Sequence, residues 1–240
     1  MTGAIVGFDT ATSAMSVAAI DGDTTVFERM TQPQTGERPG HARELLGAIE
    51  EAASAAGGWD AVEAVAVGIG PGSFTGLRIG VATARALGQG LGKPLAPVVS
   101  LAALARGMGG VSGEDGRRHL AVLDARRGQV FAGLYGAGGE PLWPPFVAAP
   151  EELGERLATV DASPLAAGDG SVRFRHELEA AGVKVLADGD ERHLIRARHL
   201  CALAGEGGRS KPAEVNPIYL RPPDAELWHE QQRRDRQSQP

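Results

Sequence analysis

Short apolar runs separated by turns predict strands at the start of the chain. Residues 4–8, 15–20 and 61–69 are mainly apolar, and residues 24–30 alternate between apolar and polar side chains. Asp21-Gly22-Asp23 between two of these runs is a hairpin signal. The pattern therefore predicts three strands joined by tight turns and a fourth, buried strand further along the chain.

Two helices are predicted around that fourth strand. From His41 the apolar positions keep helical spacing until the glycines at 57 and 58. After the strand, a glycine-rich turn at 70–76 leads into a second helix that runs to about Gly90. Residues 94–99 then form a fifth strand, and Ser100 is expected to cap a short helix that runs through Arg106.

The second half of the chain repeats the pattern of the first. Residues 120–125 and 128–135 can be laid over residues 5–20, which places Asp124 on Asp9 and Gly128 on Ser13. The segment 168–171 precedes a helical stretch, as 70–73 does. We therefore predict an α/β fold of two duplicated lobes, 1–106 and 119–223, followed by a mobile charged tail at 224–240.

Composition narrows the classes of function. The 240 residues carry 24 Lys plus Arg against 30 Asp plus Glu, a formal net charge of −6, so the chain has no overall positive field for nucleic acid. Cys201 is the single cysteine, which excludes an intrachain disulfide and suits a reducing compartment such as the cytoplasm. No stretch of 18 apolar residues is present, so no membrane span is expected. The amino terminus has no basic start, and Asp9 interrupts its apolar run early, so no signal segment is expected.

Two turns have residues suited to binding a nucleotide. Asp9 and Ser13 lie in the turn between the first two strands, where a carboxylate could hold a metal through water and hydroxyls could meet a phosphate. Ordinary strand termination explains the same residues. Gly70, Gly72 and Ser73 form a phosphate-loop-like turn, but Leu77 follows Gly76 where a Walker A loop requires lysine.

Small residues recur every four positions in the second helix. Gly76, Gly80, Ala84 and Gly88 form a slowly winding row on one side of that helix. Such a row lets another helix approach closely, and three glycines inside a helix each cost about 1 kcal/mol against alanine. Close packing is therefore expected there, against either this chain's own first helix or another subunit.

Catalytic motifs are otherwise absent from the sequence. The six histidines include no pair at i, i+4, so no metal ligands are predicted. Cys201 lies in an Ala- and Leu-rich stretch typical of a buried structural thiol. The hairpin tip at 124–129, with Arg126 and Arg127 adjacent, is interpreted as a solvated turn that could also touch a partner or RNA.

Four segments together resemble the TsaB family, also called YeaZ. They are the glycine-rich segment 70–80, Asp9-Thr10, the segment 124–127 and Tyr219-Leu220-Arg221. The resemblance spans nearly the whole chain. It implies the fold of the actin, Hsp70 and sugar-kinase superfamily, and a role in making threonylcarbamoyladenosine at position 37 of tRNA.

In that family the chain is a non-catalytic, cytoplasmic partner of the threonylcarbamoyltransferase TsaD, and the pair assembles further with the ATPase TsaE. The resemblance implies tRNA contact through the complex, no tightly bound cofactor, and ATP or ADP only in the assembly. A homodimer of the chain alone is left open. The alternative is an ATP-binding phosphotransferase or ATPase of the actin-like superfamily that uses Asp9 as a metal-positioning carboxylate.

The resemblance also implies a subunit interface on the two helices. Its predicted residues are Gly76, Leu77, Gly80, Ala84, Leu87, Gly88, His41 and Leu45. On that hypothesis, Gly80→Leu leaves the monomer folded and weakens association with the partner. Asp9, Ser13, Gly70, Gly72 and Ser73 would be at most vestigial contacts of a nucleotide cleft.

Overall fold

Eight elements form the first half of the chain, and they follow the predicted order. The computed structural model describes residues 3–34, 37, 39–109, 116–160 and 163–221. The elements are β1 (Ala4–Asp9), β2 (Met15–Asp21), β3 (Thr24–Thr31), α1 (His41–Ala55), β4 (Val62–Gly68), α2 (Phe74–Leu91), β5 (Leu95–Val98) and α3 (Ser100–Met108). β1 and β4 are apolar along their length because both faces of their sheet are covered.

The described part of the second half contains nine further strands and α-helices, besides two three-residue 3₁₀-helices. They are β6 (His119–Arg126), β7 (Gln129–Tyr135), β8 (Pro141–Ala148), α4 (Pro150–Leu157), β9 (Leu165–Ala167), α5 (Asp169–Arg173), α6 (Arg175–Ala180), β10 (Lys184–Val185) and α7 (Ala197–Glu206). The sequence pattern predicted β6, β7 and the helical stretch at α6. It did not predict β8, whose prolines interrupt the strand signal, or the very short β9 and β10.

The two halves have the same topology. The first sheet has the order β3-β2-β1-β4-β5, and the second has β8-β7-β6-β9-β10. In each, the first three strands of the half are antiparallel neighbours and the remaining pairs are parallel. The prediction of an α/β fold with two duplicated lobes is confirmed.

Three apolar clusters hold the layers together. One lies between the first sheet and α1 and α2, and another lies between the second sheet and α4 and α6. The largest cluster lies between the two sheets and is filled by α3 and α7. The order of layers is therefore helices, sheet, helices, sheet, helices.

The last helix crosses from the second half to the first. α7 packs on β1 and β2, and the Ala197 N–H donates to Ser16 Oγ at 2.7 Å. Further on, the Ile218 N–H donates to the Ile69 carbonyl at 2.8 Å. The predicted bounds 1–106 and 119–223 place the two sheets in separate lobes. α7 and Ile218 contact the first lobe, and Arg221 bonds to Gln129 of the second.

The charged tail at 224–240, which was predicted to be mobile, lies outside the described residues. Within the described part of the chain, no helix is both long enough and apolar enough to cross a membrane.

Candidate functional site: the cleft between the lobes

A cleft of about 430 Å³ opens where the two sheets face each other. Turns from both lobes line it, since the carboxyl ends of β1 and β6 lie on opposite sides. Its polar lining includes Thr12, Ser13, Ser73, Thr75, Asp124, Arg126, Asp169 and Arg221, and its apolar lining includes Phe74, Phe131 and Tyr219. This is the position at which the sequence predicted a nucleotide cleft.

Asp9 is buried beneath this cleft and has all its hydrogen bonds within the chain. Its Oδ2 accepts from Ser100 Oγ at 2.6 Å, and its Oδ1 accepts from the Ala11 N–H at 2.7 Å. Burial raises the pKa of the Asp9 carboxyl, while the Ser100 and Ala11 hydrogen bonds oppose that shift. Asp9 is therefore a structural residue that fixes the β1–β2 turn.

Ser100 has a different role from the one predicted. The residue before it, Val99, is the N-cap of α3 and makes no side-chain cap, so Ser100 does not cap the helix. Its hydroxyl donates to Asp9 and accepts the Gly70 N–H at 3.1 Å. Ser100 thus ties the glycine-rich turn to the end of β1.

The glycine-rich turn is closed against the first turn. The Ser73 N–H donates to the Ala11 carbonyl at 2.6 Å, and a Cβ on Gly72 would overlap that carbonyl. Ser73 caps α2 by accepting the Gly76 N–H at 3.3 Å. Of the predicted cleft residues, Ser13, Gly72 and Ser73 line the cleft, whereas Asp9 and Gly70 lie beneath it.

The second lobe contributes two neighbouring carboxylates, of which Asp124 is bonded to arginines. Asp124 Oδ2 accepts from Arg173 at 2.9 Å and from Arg126 at 3.2 Å, and the Asp124 side chain is 7% exposed. Asp169 Oδ1 accepts the Asp124 N–H at 2.9 Å. Burial raises the pKa of Asp169, and the neighbouring Asp124 charge adds to that shift.

Two aromatic rings and a guanidinium group pack together at the mouth of the cleft. The ring centroids of Phe74 and Tyr219 are 4.7 Å apart, and the Arg78 guanidinium carbon lies 3.9 Å from the Phe74 centroid. Tyr219 is 43% exposed. Residue spacing could not predict this contact, because Tyr219 is brought to α2 by the returning C-terminal segment.

The small-residue row of α2 packs inside the chain. A Cβ on Gly80 would overlap the Thr10 hydroxyl, and one on Gly76 would overlap the Thr10 carbonyl. A Cβ on Gly88 would come within 2.9 Å of both Leu95 and Pro212. The neighbour of this row is therefore the β1–β2 turn and the segment around Pro212, not another helix.

This packing bears on the predicted interface, which remains a prediction. Seven of its eight residues are buried within the chain, namely Gly76, Leu77, Gly80, Ala84, Gly88, His41 and Leu45. Leu87 is partly buried against the same core. Helical spacing identified a close-packed face correctly, but the row's steric role lies in this chain's own fold.

The opposite faces of α1 and α2 are exposed and poor in charge near their centre. Leu46 is 60% exposed, and Ala42, Gly47, Ala82 and Ala86 are exposed beside it. α1 and α2 contact each other, and the exposed residues Ala42, Leu46, Gly47, Ala82 and Ala86 of the two helices are together called the α1–α2 face. Exposed apolar surface of this kind is typical of a protein interface.

Cys201 and His199 lie outside the cleft lining. Cys201 is fully buried, and burial raises the pKa of its thiol, so it is the structural residue that the sequence predicted. Burial lowers the pKa of His199 to about 4, and the nearby Arg198 charge adds to this. The described residues contain no group of three or more His, Cys, Asp or Glu side chains that could hold a metal ion.

Comparison with known proteins identifies the family. The chain is 30% identical over 227 residues to the tRNA threonylcarbamoyladenosine biosynthesis protein TsaB of Escherichia coli, covering 90% of this chain and 94% of that protein. This chain belongs to the TsaB family. The family model described as "TsaD: tRNA N6-adenosine threonylcarbamoyltransferase" matches residues 32–205.

A solved structure and a paralogue agree with this assignment. YeaZ from Pseudomonas aeruginosa superposes with a TM-score of 0.75 at 28% identity, covering 91% of this chain and 100% of that one. The tRNA N6-adenosine threonylcarbamoyltransferase of Chelativorans sp. is 49% identical over 59 residues, which is 24% of this TsaB-family chain and 16% of that enzyme. The resemblance stated from the four sequence segments is thus confirmed.

Proposed function

We propose that this chain is a non-catalytic subunit of the machinery that makes threonylcarbamoyladenosine in tRNA. It would bind a TsaD-type threonylcarbamoyltransferase and support it, in the cytoplasm. A relative named for threonylcarbamoyladenosine biosynthesis, matched over 94% of its length, supports the pathway. A TsaE-type ATPase and a nucleotide in the assembled complex remain further expectations from the family resemblance.

The observation that carries the non-catalytic role is the bonding of Asp9. An actin-like ATPase would need this carboxylate to face the cleft and position a metal. Here Ser100 and Ala11 occupy both carboxylate oxygens, and the Gly72–Ser73 turn closes over Ala11. A phosphate at this turn would have to displace contacts that the fold itself uses, so the geometry favours the scaffold over the ATPase.

The α1–α2 face is the surface proposed for the TsaD-type partner. Leu46 exposes a large apolar side chain, and the alanines at 82 and 86 leave room for a partner helix to approach closely. This revises the interface from the buried row of α2 to the solvent side of the same two helices.

Substitutions on this face test the proposal. We expect Leu46→Arg and Ala86→Arg each to weaken binding of the TsaD-type subunit from the same genome at least about tenfold, because a charge would be buried in an apolar contact. The affinity is measured by isothermal titration calorimetry, and light scattering gives the stoichiometry. The matched control is Ala180→Arg, at an exposed position of α6 in the other lobe.

Three outcomes decide between the scaffold and its alternatives. Loss of binding in both α1–α2 variants, with normal thermal unfolding and a normal control, supports the scaffold and its interface. Unchanged binding in both variants places the interface elsewhere. If wild-type chain and TsaD-type subunit form no complex, the scaffold role itself is wrong.

A further inference from the structure

A groove of about 820 Å³ lies on the first lobe, between the carboxyl end of α2 and residues 209–213. Its lining combines cations with small or apolar residues. The cations are Arg85, Lys93, Arg209 and Lys211, and the apolar residues beside them include Pro94 and Pro212. This groove, here called the α2–β5 groove, is larger than the cleft between the lobes and shares no lining residue with it.

Long-range contacts fix the walls of the α2–β5 groove. Residues 209–213 pair with the start of β5, where the Leu95 N–H donates to the Ser210 carbonyl at 3.0 Å and the Ser210 N–H donates to the Leu95 carbonyl at 2.8 Å. Gly88 lets this segment approach α2 closely, because a Cβ there would come within 2.9 Å of Pro212. The groove is therefore preformed, and a preformed site loses little conformational entropy on binding a partner.

Two of the four cations are already held by the fold. Arg209 is bonded to Glu63 at 2.9 Å, so its charge is compensated. Arg85 donates to the Val215 carbonyl at 2.8 Å and to Asn216 Oδ1 at 2.8 Å. Both acceptors of Arg85 are neutral, so these bonds position its guanidinium group but leave its positive charge uncompensated.

The two lysine side chains carry the remaining positive charge. Among the residues that the structure describes, neither the Lys93 nor the Lys211 ammonium group has a hydrogen bond or ion pair. Glu214 lies beside this segment, and its Oε2 accepts the Lys211 backbone N–H at 3.2 Å. Arg85, Lys93 and Lys211 outweigh that carboxylate, so the groove is basic in a chain whose formal net charge is −6.

The α2–β5 groove adjoins the α1–α2 face. Arg85 and Gln89 line the groove, and each lies three residues along α2 from an alanine of that face, Ala82 or Ala86. Residues three apart are neighbours on the surface of a helix. A protein seated on the α1–α2 face can therefore extend along α2 into the groove.

We propose that the α2–β5 groove binds an acidic segment of the protein that docks on the α1–α2 face. Carboxylates of that segment would lie on Lys93 and Lys211, and an apolar side chain would pack on the prolines at 94 and 212. The inference rests on the proposed function, under which this protein is the TsaD-type subunit. Complementary charge selects the partner and its register, and the apolar residues add contact area.

RNA phosphates would also suit the two lysines. Proteins that hold single-stranded nucleic acid combine such cations with aromatic rings on which bases stack. No aromatic ring is among the described residues that line this groove. The lining therefore favours an acidic protein segment over RNA.

Charge reversal tests the groove in the full-length chain. Binding of the TsaD-type subunit from the same genome to Lys93→Glu/Lys211→Glu is followed by surface plasmon resonance at several salt concentrations. We expect the association rate constant to fall at least about tenfold at low salt, and the difference from wild type to shrink at about 1 M salt, because salt screens exposed charges. The matched control is Arg117→Glu/Arg118→Glu, which changes the net charge equally just before β6 and should bind at nearly the wild-type rate.

Zero-length cross-linking tests the same contact in the wild-type complex. A carbodiimide joins an amine to a carboxylate that touches it, and mass spectrometry identifies the joined residues. We expect Lys93 or Lys211 to be joined to an Asp or Glu of the TsaD-type subunit. Lys184, the chain's one other lysine, lies on β10 of the second lobe and should form no link to that subunit.

Three results would overturn the inference. Equal association rates for the lysine and arginine variants at every salt concentration, with no cross-link at either groove lysine, mean that the groove takes no part in a complex that still forms. A lysine variant that binds the subunit normally but lowers the affinity of the complex for labelled tRNA makes the groove an RNA contact.

The third result separates this inference from the proposed function. If the wild-type chain and the TsaD-type subunit form no complex, the proposed function fails. Anisotropy of a fluorescent peptide of glutamate and leucine then compares the isolated wild type with Lys93→Glu/Lys211→Glu. Weaker binding by the variant keeps the groove as a site for acidic segments, and equal binding removes it.

Discussion

Thr10 is the residue that explains why α2 is rich in glycine. Its hydroxyl donates to the Gly76 carbonyl at 2.8 Å, and it lies against Gly76 and Gly80, where any side chain on the helix would displace it. The buried row therefore sets how closely α2 approaches the β1–β2 turn. The β1–β2 turn places Ala11 and Ser13 at the cleft and Asp9 beneath it.

Gly80→Ala should destabilise the folded chain. We expect a loss of about 1–3 kcal/mol in the free energy of unfolding, because the new methyl group overlaps a hydroxyl that is held by its own hydrogen bond. Urea unfolding followed by circular dichroism measures the change.

The matched control is Gly90→Ala in the same helix, where nothing lies within 4 Å of the added carbon. That variant should be neutral or more stable by up to about 1 kcal/mol, because alanine favours helix. Equal effects at the two positions would contradict the packing argument, and a stable Gly80→Leu variant would revive the original interface hypothesis.

Asp9 predicts a distinctive pH dependence. Its pKa is raised in the folded chain, mainly by burial, so the folded state binds this proton more tightly than the unfolded state. The Asp9 contribution to stability is then fully present below the unfolded pKa and is lost as pH rises through the folded pKa. The amide side chain in the Asp9→Asn variant does not gain or lose a proton in this pH range.

Wild type should therefore gain stability relative to Asp9→Asn as the pH is lowered from about 7 to about 4. The difference should change by at most about 1.4 kcal/mol per pH unit, the limit for one proton. Urea unfolding of both proteins at each pH gives the difference, in which other titrating groups cancel. A difference that moves in the opposite direction would mean that Asp9 is more acidic in the fold than in the unfolded chain.

At the scale of elements, α7 joins the two lobes through an ion-pair cluster on β3. Glu28 accepts hydrogen bonds from Arg196 at 2.6 Å and from Arg198 at 2.9 Å, and the Arg196 side chain also binds Glu191. Burial would raise the pKa of Glu28, but the bonds and charges of the two arginines outweigh it, and the net shift is downward. The cluster fixes the start of α7 against the edge of the first sheet.

Glu28→Gln should lower the free energy of unfolding by an amount that depends on pH. Because the folded pKa of Glu28 is lowered, its stabilisation is present above the unfolded pKa and is lost as pH falls through the folded value. We expect a loss of about 1–2 kcal/mol at pH 7 that shrinks below about pH 4.

Chemical denaturation at pH 7 and below about pH 4 checks this prediction. The control is Arg29, which lies on the same strand as Glu28 and forms a more exposed ion pair with Glu51 of α1. Arg29→Gln should change the free energy of unfolding by less than about 1 kcal/mol. A Glu28→Gln effect that persists undiminished at low pH would assign the role of Glu28 to packing rather than charge.

At the scale of the whole molecule, the duplicated lobes enclose a cleft, and the aspartate that each lobe contributes at the repeated position is bonded within the chain. The first lobe's aspartate is bonded within its own turn, and the second lobe's Asp124 is bonded to Arg126 and Arg173. The molecule therefore has the two-lobed fold expected from the actin-like resemblance, and Arg126 and Arg221 line the cleft between the lobes.

The isolated chain should bind Mg-ATP no more tightly than the millimolar range. The reason is that both cleft carboxylates of the repeat, Asp9 and Asp124, are already engaged. Titration calorimetry with Mg-ATP on wild type and Asp9→Ala measures this. Micromolar binding that needs magnesium and disappears in Asp9→Ala would favour the ATPase alternative.

Local pattern by itself determined much of the fold. Apolar runs predicted β1, β2, β4 and α2 to within two or three residues, because strand and helix periods are properties of neighbouring residues. The repeat of Asp9 in Asp124 predicted the duplication, which the matching strand orders confirm. The glycine-rich segment identified the family, because few sequences combine that many small residues at those positions.

Tertiary structure alone decided which faces are buried and what the polar groups do. Helical spacing could place Gly80 in a close-packed row, but the partner of that row, Thr10, belongs to a distant turn of the chain. Its position in the sequence predicted that Ser100 would cap α3, but its hydroxyl donates to Asp9 instead. The two residues meet across the end of β4, which lies between β1 and β5, where Gly68 has no side chain to separate them. Burial and long-range contact depend on the whole fold. The exposed α1–α2 face and the arginines that line the cleft, Arg126 and Arg221, could therefore be seen only in the structure.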